Sequence, residues 1–69
     1  MSTTNVARVT DIIAESPVSF DEAVKVGFER AVKTLRGITG LRIVENRVSV
    51  KDNKISTYRV KMEVIFILD

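Results

Sequence analysis

The chain has 69 residues, of which 45% are hydrophobic and 29% charged, and its 11 Lys and Arg against 9 Asp and Glu give a net charge of +2. This length allows one domain, residues 1–69, and the composition excludes a disordered chain. The chain contains no Cys and no His, so it has neither a disulfide, nor a thiolate metal site, nor the commonest general base. We therefore expect a protein that is not an enzyme.

The sequence gives no indication of a membrane partner. No apolar run approaches the roughly 18 to 20 residues that a membrane span needs, and residues 1–5 have the composition of a flexible polar tail rather than of a signal peptide. We expect a cytoplasmic protein.

The first half of the chain predicts a strand followed by a helix. The strand, Val6 to Ala14, is rich in Val, Ile and Thr and ends before the turn-prone segment Glu15-Ser16-Pro17. A capping box from Ser19 to Glu22 then starts the helix, and Gly37 is predicted to end it in a left-handed conformation. Small and apolar residues recur at helical spacing and predict a stripe that lies on a sheet: Val24, Gly27, Ala31 and Leu35.

The second half predicts an antiparallel hairpin of two strands, Leu41 to Lys51 and Ile55 to Leu68. Its turn, Asp52-Asn53, contains residues that tolerate positive φ. The last strand alternates most regularly, so we place it in the centre of the sheet. One face of the second strand is predicted to carry Val44, Val48 and Val50. The predicted class is α+β, strand-helix-strand-strand, with a three-stranded antiparallel sheet of order 1-3-2 packed on one helix.

Self-association is predicted from the last strand, which becomes apolar on both faces at Ile65 and Ile67. A domain of this size buries only about 60% of the surface of its unfolded chain. We therefore expect a second copy of the chain to cover this apolar end.

The aromatic residues Phe20, Phe28, Tyr58 and Phe66 are expected to lie in the core.

A basic face that binds nucleic acid or phosphate is an alternative function for this chain. With a pI near 9.3, the face that carries Arg47, Arg59 and Lys61 suits a nucleic-acid or phosphate-binding module. Glu45 and Glu63 interrupt that face, and no exposed aromatic residue is interleaved to stack on bases. We therefore expect no nucleic-acid partner. Ion pairs, either across strands to these two glutamates or to partner subunits, are the structural alternative for both arginines.

Five consecutive segments resemble a known family in order and spacing: Arg8 to Ile13 with Ser16-Pro17, Ser19 with Ala23, Thr34 to Arg36, Val44-Glu45 with Arg47, and Tyr58 to Val64. The family is the dodecins, small proteins that assemble as hollow twelve-subunit shells and, in most characterised members, bind flavins without catalysing a reaction. The resemblance covers residues 6–68. It implies a homododecamer, a sheet that partly wraps the helix, and FMN, riboflavin or FAD as the ligand.

The resemblance also points to ligand-binding residues. Flavin-binding dodecins typically stack the isoalloxazine ring on a tryptophan before the second strand and hydrogen-bond its polar edge with a glutamine on the third. This chain has no tryptophan, and the two positions fall at Gly40 and Arg59. Arg47 matches a family residue near the ligand. Tyr58, because it lies at the start of a strand, is a further candidate for ligand contact. Losing an aromatic contact removes about 0.5 to 1.5 kcal/mol, so we expect weakened flavin binding.

Calcium is the alternative ligand. The calcium dodecins also lack that tryptophan and resemble this chain at Thr57 to Val64. Calcium takes six to eight oxygen ligands, and no loop here is dense in carboxylates, so the resemblance implies a site shared between subunits. No motif fixes the metal ligands, and the available carboxylates are Asp11, Glu15, Glu45, Asp52 and Glu63.

Overall fold

The computed structural model describes residues 5–68 and contains three strands and one helix: β1 Val6–Ser16, α1 Phe20–Val32, β2 Ile38–Lys51 and β3 Lys54–Leu68. The sheet has the order β1-β3-β2, and both neighbours run antiparallel to β3. The predicted fold class and the central position of the last strand are confirmed. The predicted tail, residues 1–5, lies outside the described residues except for Asn5.

The helix begins where the sequence predicted and ends earlier. The Ser19 hydroxyl accepts a hydrogen bond from the Glu22 amide at 3.0 Å, as a capping box requires. The helix ends at Val32, and a turn follows in which the Leu35 amide donates to the Ala31 carbonyl at 2.8 Å. Gly37, with φ of +71°, does not end the helix but directs the chain into β2. With 13 residues α1 is too short to cross a membrane, and the described residues contain no longer helix.

Both β1 and β2 are longer than predicted. β1 continues to Ser16, which pairs with Tyr58, because the Ser16 hydroxyl accepts the Val18 amide at 2.9 Å and holds the turn beyond the strand. β2 begins at Ile38, so Gly40 lies inside the strand rather than before it.

The regular alternation predicted for β2 is wrong. The pairing with β3 shifts register between Ile43 and Glu45, which leaves Val44 without a partner, and shifts again between Ser49 and Val50. A bulge of this kind interrupts the alternation of faces. Val44 and Val50 are therefore exposed and do not form one covered face with Val48. The turn after β2 is as predicted, with φ of 53° at Asp52 and 62° at Asn53.

The core lies between α1 and the two strands β1 and β3. Its buried side chains include Ala14, Ala23, Val60 and Met62. The buried face of α1 consists of small residues, and a Cβ atom at Gly27 would lie 3.0 Å from the Ala14 Cβ. This small face lets the helix approach the sheet closely, but the helix packs on β1 and β3 and leaves β2 largely uncovered.

The subunit is more extended than a compact domain of its size. Its radius of gyration is 14.6 Å, whereas about 11 Å is typical for this length. It exposes 5420 Å², whereas a compact monomer of 7.7 kDa exposes about 4,300 Å². Long strands that a single 13-residue helix does not cover contribute to this surplus of about 1,100 Å².

Gly37→Ala should lower the free energy of unfolding by about 1 to 2 kcal/mol, since an L residue at positive φ is strained. The added Cβ would also lie 3.2 Å from the Ile67 carbonyl oxygen. Denaturant titration at a fixed protein concentration measures the change. The matched control is Gly40→Ala, where the nearest atom is Ile65 Cδ1 at 3.8 Å and the change should stay within about 0.5 kcal/mol. Equal losses of unfolding free energy in both variants would contradict the conclusion that the positive φ at Gly37 requires glycine.

Candidate functional site

Most charged residues of the sheet lie on the face turned away from α1, which we call the outer face. Because Val60, Met62 and Val64 point into the core, their neighbours on β3 point outward. The ladder pairings place the following charged residues on the outer face: Asp11 and Glu15 on β1, Arg42, Glu45 and Arg47 on β2, and Arg59, Lys61 and Glu63 on β3.

Arg47 and Arg59 lie side by side on this face. They are directly paired in the ladder between β2 and β3, so the structure brings together two of the predicted site residues. Both side chains are about half exposed. Guanidinium groups on neighbouring strands present many N–H donors to a carboxylate or phosphate.

Each of these arginines also has a carboxylate partner. Arg47 Nη2 donates to Glu45 Oε2 at 3.2 Å. The two residues lie on the same strand, so this is not the cross-strand pair that was predicted. Arg59 donates from Nε and Nη2 to Glu15 Oε1 at 2.8 and 2.6 Å, so the predicted pairing with Glu45 or Glu63 is wrong for this residue. Exposed pairs of this kind contribute about 0 to 1 kcal/mol, and a ligand can compete with them.

Glu15 was missed as a partner of Arg59. The sequence analysis ended the first strand at Ala14 and assigned Glu15 to a turn, whereas the strand continues and places Glu15 directly opposite Arg59. The alternation of Asp11, Ile13 and Glu15 along the strand was the available signal.

Tyr58 lies on the opposite face of the sheet from Arg59. Its ring packs edge to face on Phe20, with centroids 5.2 Å apart and an angle of 77° between planes. This contact closes the core beside the start of α1, which is a packing role. The expectation that Phe28 is also buried is wrong, because this side chain is 40% exposed on the side of the helix that overlooks the uncovered β2.

Gly40 is far from both arginines within one subunit. It pairs with Ile65, six residues along β3 from Arg59, which corresponds to about 20 Å. No tight contact surrounds it, since Ile65 Cδ1 at 3.8 Å is the nearest atom to a built Cβ. A single aromatic ring system therefore cannot touch Gly40 and Arg59 of the same subunit.

The flavin chemistry expected from the resemblance does not fit this subunit well. Gly40 offers no surface for stacking. Arg59 has only donors, so it cannot accept a hydrogen bond from a ring N–H as an amide oxygen does. The arginine pair does fit an anionic group on a ligand. The ligand-binding role predicted for Gly40, Arg47, Tyr58 and Arg59 stays a prediction.

Carboxylates on the outer face do not form a metal site within one subunit. Asp11 and Glu63 are directly paired in the ladder, and Glu63 accepts from Arg42 Nε at 2.8 Å. The hydrogen bond and the charge of Glu63 raise the pKa of Arg42, with a smaller contribution from the charge of Asp11. Within residues 5–68 no three acidic residues are close enough to hold a metal ion. A calcium ion would need oxygen ligands from more than one copy.

The family model "Dodecin" matches residues 6–69. A calcium dodecin from Mycobacterium tuberculosis is 36% identical over 62 residues, which cover 90% of this chain and 87% of that protein. The structure of a dodecin from Streptomyces davaonensis is 37% identical with a TM-score of 0.91 and covers 97% of this chain and 98% of its own. The crystal structure of calcium dodecin from M. tuberculosis, described with a novel calcium-binding site, is 37% identical with a TM-score of 0.80 and covers 93% and 91%.

Tyr58→Ala should lower the free energy of unfolding by about 2 kcal/mol, because it removes the aromatic contact with Phe20 and leaves space at the edge of the core. Arg59→Ala removes a surface ion pair and should cost about 1 kcal/mol or less. Chemical denaturation of both variants measures the difference. A larger loss for Arg59→Ala than for Tyr58→Ala would contradict these structural roles.

Proposed function

The chain belongs to the dodecin family, since the family model covers residues 6–69, and from that membership we propose a non-enzymatic protein that stores a small ligand in a closed shell of twelve copies. The observation that carries the ligand part is the pairing of Arg47 with Arg59 on the outer face. The observation that carries the assembly part is the surplus exposed surface of the isolated subunit.

The apolar end of the outer face is our candidate for one subunit contact. Val9 pairs with Ile65 and Ala7 with Ile67, which places four apolar residues together. Val9 is half exposed. A stable protein interface buries about 800 Å² of each partner, and the surplus surface of this subunit is of that order.

We propose that the ligand binds between subunits. Gly40 and Arg59 are about 20 Å apart in one copy, so a ring system that lies near Gly40 of one copy meets Arg59 of another. The two arginines suit a phosphate, which FMN and FAD carry and riboflavin lacks. Among flavins this site should therefore prefer the phosphorylated forms, with an affinity reduced by the missing aromatic ring.

Calcium storage is the second candidate. It is supported by the similarity to the calcium dodecin of M. tuberculosis and by the absence of tryptophan in this chain. The paired carboxylates Asp11 and Glu63 supply oxygen ligands from one copy, and a neighbour would complete the coordination shell. A yellow purified protein favours the flavin, whereas calcium that survives dialysis, measured by elemental analysis, favours the ion.

Gly40→Trp should raise the affinity for FMN by about two- to tenfold for each stacking contact, because it supplies the missing aromatic face. Quenching of flavin fluorescence measures the affinity. Arg59→Gln should raise the affinity for riboflavin, which carries no phosphate, by supplying an amide oxygen that accepts from the ring N–H. For FMN the loss of one arginine from the proposed phosphate site opposes this gain. If both variants quench flavin fluorescence no better than the unaltered protein, the proposed flavin site is wrong.

Ile65→Glu should lower the oligomeric state, because a carboxylate buried at the apolar end of the outer face has no partner. Ile65→Val, which keeps the surface apolar, is the matched control and should assemble normally. Size-exclusion chromatography with light scattering gives the mass of both. An unchanged mass for Ile65→Glu would exclude this end of the sheet as an interface.

A further inference from the structure

The hairpin of β2 and β3 extends beyond the rest of the subunit. The last pairing of β1 is Ser16 with Tyr58, whereas β2 and β3 remain paired as far as Lys51 with Lys54. We call this two-stranded extension, residues 49–57, the arm. A two-stranded ribbon without a third strand or a helix against it is marginally stable in water, so the arm requires a surface on which to pack.

The arm carries apolar side chains that nothing in the described subunit covers. Val50 and Ile55 face each other in the ladder and are 65% and 55% exposed. Lys51 and Lys54 flank them at the tip, and Asp52 reduces the local charge to a net of one positive. The arm therefore presents a small apolar pair next to a basic tip.

An apolar groove lies at the opposite part of the subunit, between α1 and β2. Its volume is about 500 Å³, and its walls are formed by Val24, Phe28, Leu41 and Ile43. Phe28 and Ile43 are 40% and 42% exposed there. Two residues of opposite charge on the helix, Asp21 and Lys25, also line the groove, so it carries no net charge. We call this apolar groove the α1–β2 groove.

The arm and the groove of one subunit cannot meet. Ile43 pairs with Met62, and Ile55 lies seven residues further along β3. That separation corresponds to about 24 Å along a straight strand. Only another copy of the chain can bring an arm into this groove.

We propose that the arm of one subunit docks in the α1–β2 groove of a neighbouring subunit, with Val50 and Ile55 against Phe28 and Ile43. This inference rests on the proposed assembly and names the surfaces that make one of its contacts. Asp21 and Lys25 of the neighbour's groove cancel in charge, so the basic tip meets no net positive charge there. The area involved is available, since the subunit exposes about 1,100 Å² more than a compact monomer.

The groove on the other side of α1 is a poorer receptor for the arm. It is larger, at about 910 Å³, but its lining has Arg30 and Arg59 against Glu15 alone. This net positive charge disfavours Lys51 and Lys54. The contact with the α1–β2 groove joins two different surfaces, so it is heterologous and closes when copies are related by a rotation axis.

Disulfide crosslinking tests the docking directly, because the chain has no natural Cys. Ile55→Cys and Ile43→Cys, on two differently tagged copies that are coexpressed, should give a crosslinked two-chain species under oxidising conditions. A disulfide within one copy is excluded because the Cα atoms must lie within about 7 Å. The control pair combines Ile55→Cys with Ile13→Cys on the outer face, which should not crosslink. Assembled protein without the first crosslink, or with equal crosslinking of both pairs, would overturn the proposal.

A second variant tests the same contact without oxidation. Val50→Asp should shift the mass measured by light scattering toward smaller species, whereas Val50→Ile should assemble normally. An unchanged mass for Val50→Asp overturns the docking, and the crosslink decides the outcome if that variant does not fold. A crosslink in a protein that binds neither FMN nor calcium would contradict the proposed function and leave the docking supported.

Discussion

The close packing of a short helix of small residues on two strands is the constraint on which the rest of the molecule depends. Ala23, Gly27 and Ala31 let α1 approach Met62 and its neighbours on β3, and the resulting core is dense and small. One helix of this width cannot also cover β2. β2, the arm and the apolar end of the outer face are therefore left uncovered in the isolated subunit.

The outer face offers charged groups rather than an aromatic surface. Gly40 supplies no aromatic surface, whereas Arg47 and Arg59 supply charge and directional donors. Their carboxylate partners keep both guanidinium groups aligned without burying them. At the ligand site that we propose on this face, the charge of a ligand therefore matters more than its planarity.

Local sequence patterns predicted the helix and the strands. Pairing between distant segments determined where the first strand ends and where β2 bulges. The cap at Ser19 and the turn at Asp52-Asn53 depend on neighbouring residues, so the sequence was sufficient for both. The bulge at Val44 arises from the register between two strands, which no local alternation reveals. The candidate site was predicted only in part, because the pairing of Arg59 with Glu15 follows from a strand that continued past its apparent end.

The two edges of the sheet differ in the regularity of their pairing with β3. Eleven consecutive pairs join β1 to β3 without interruption, whereas the pairing of β2 is broken at three places. Amide protons on the β1 side should therefore exchange with solvent deuterium slowly and together, while those of β2 exchange in separate groups. β2, which holds Gly40 and Arg47, therefore has the more adjustable backbone, whereas the pairing of β1 with β3 stays intact.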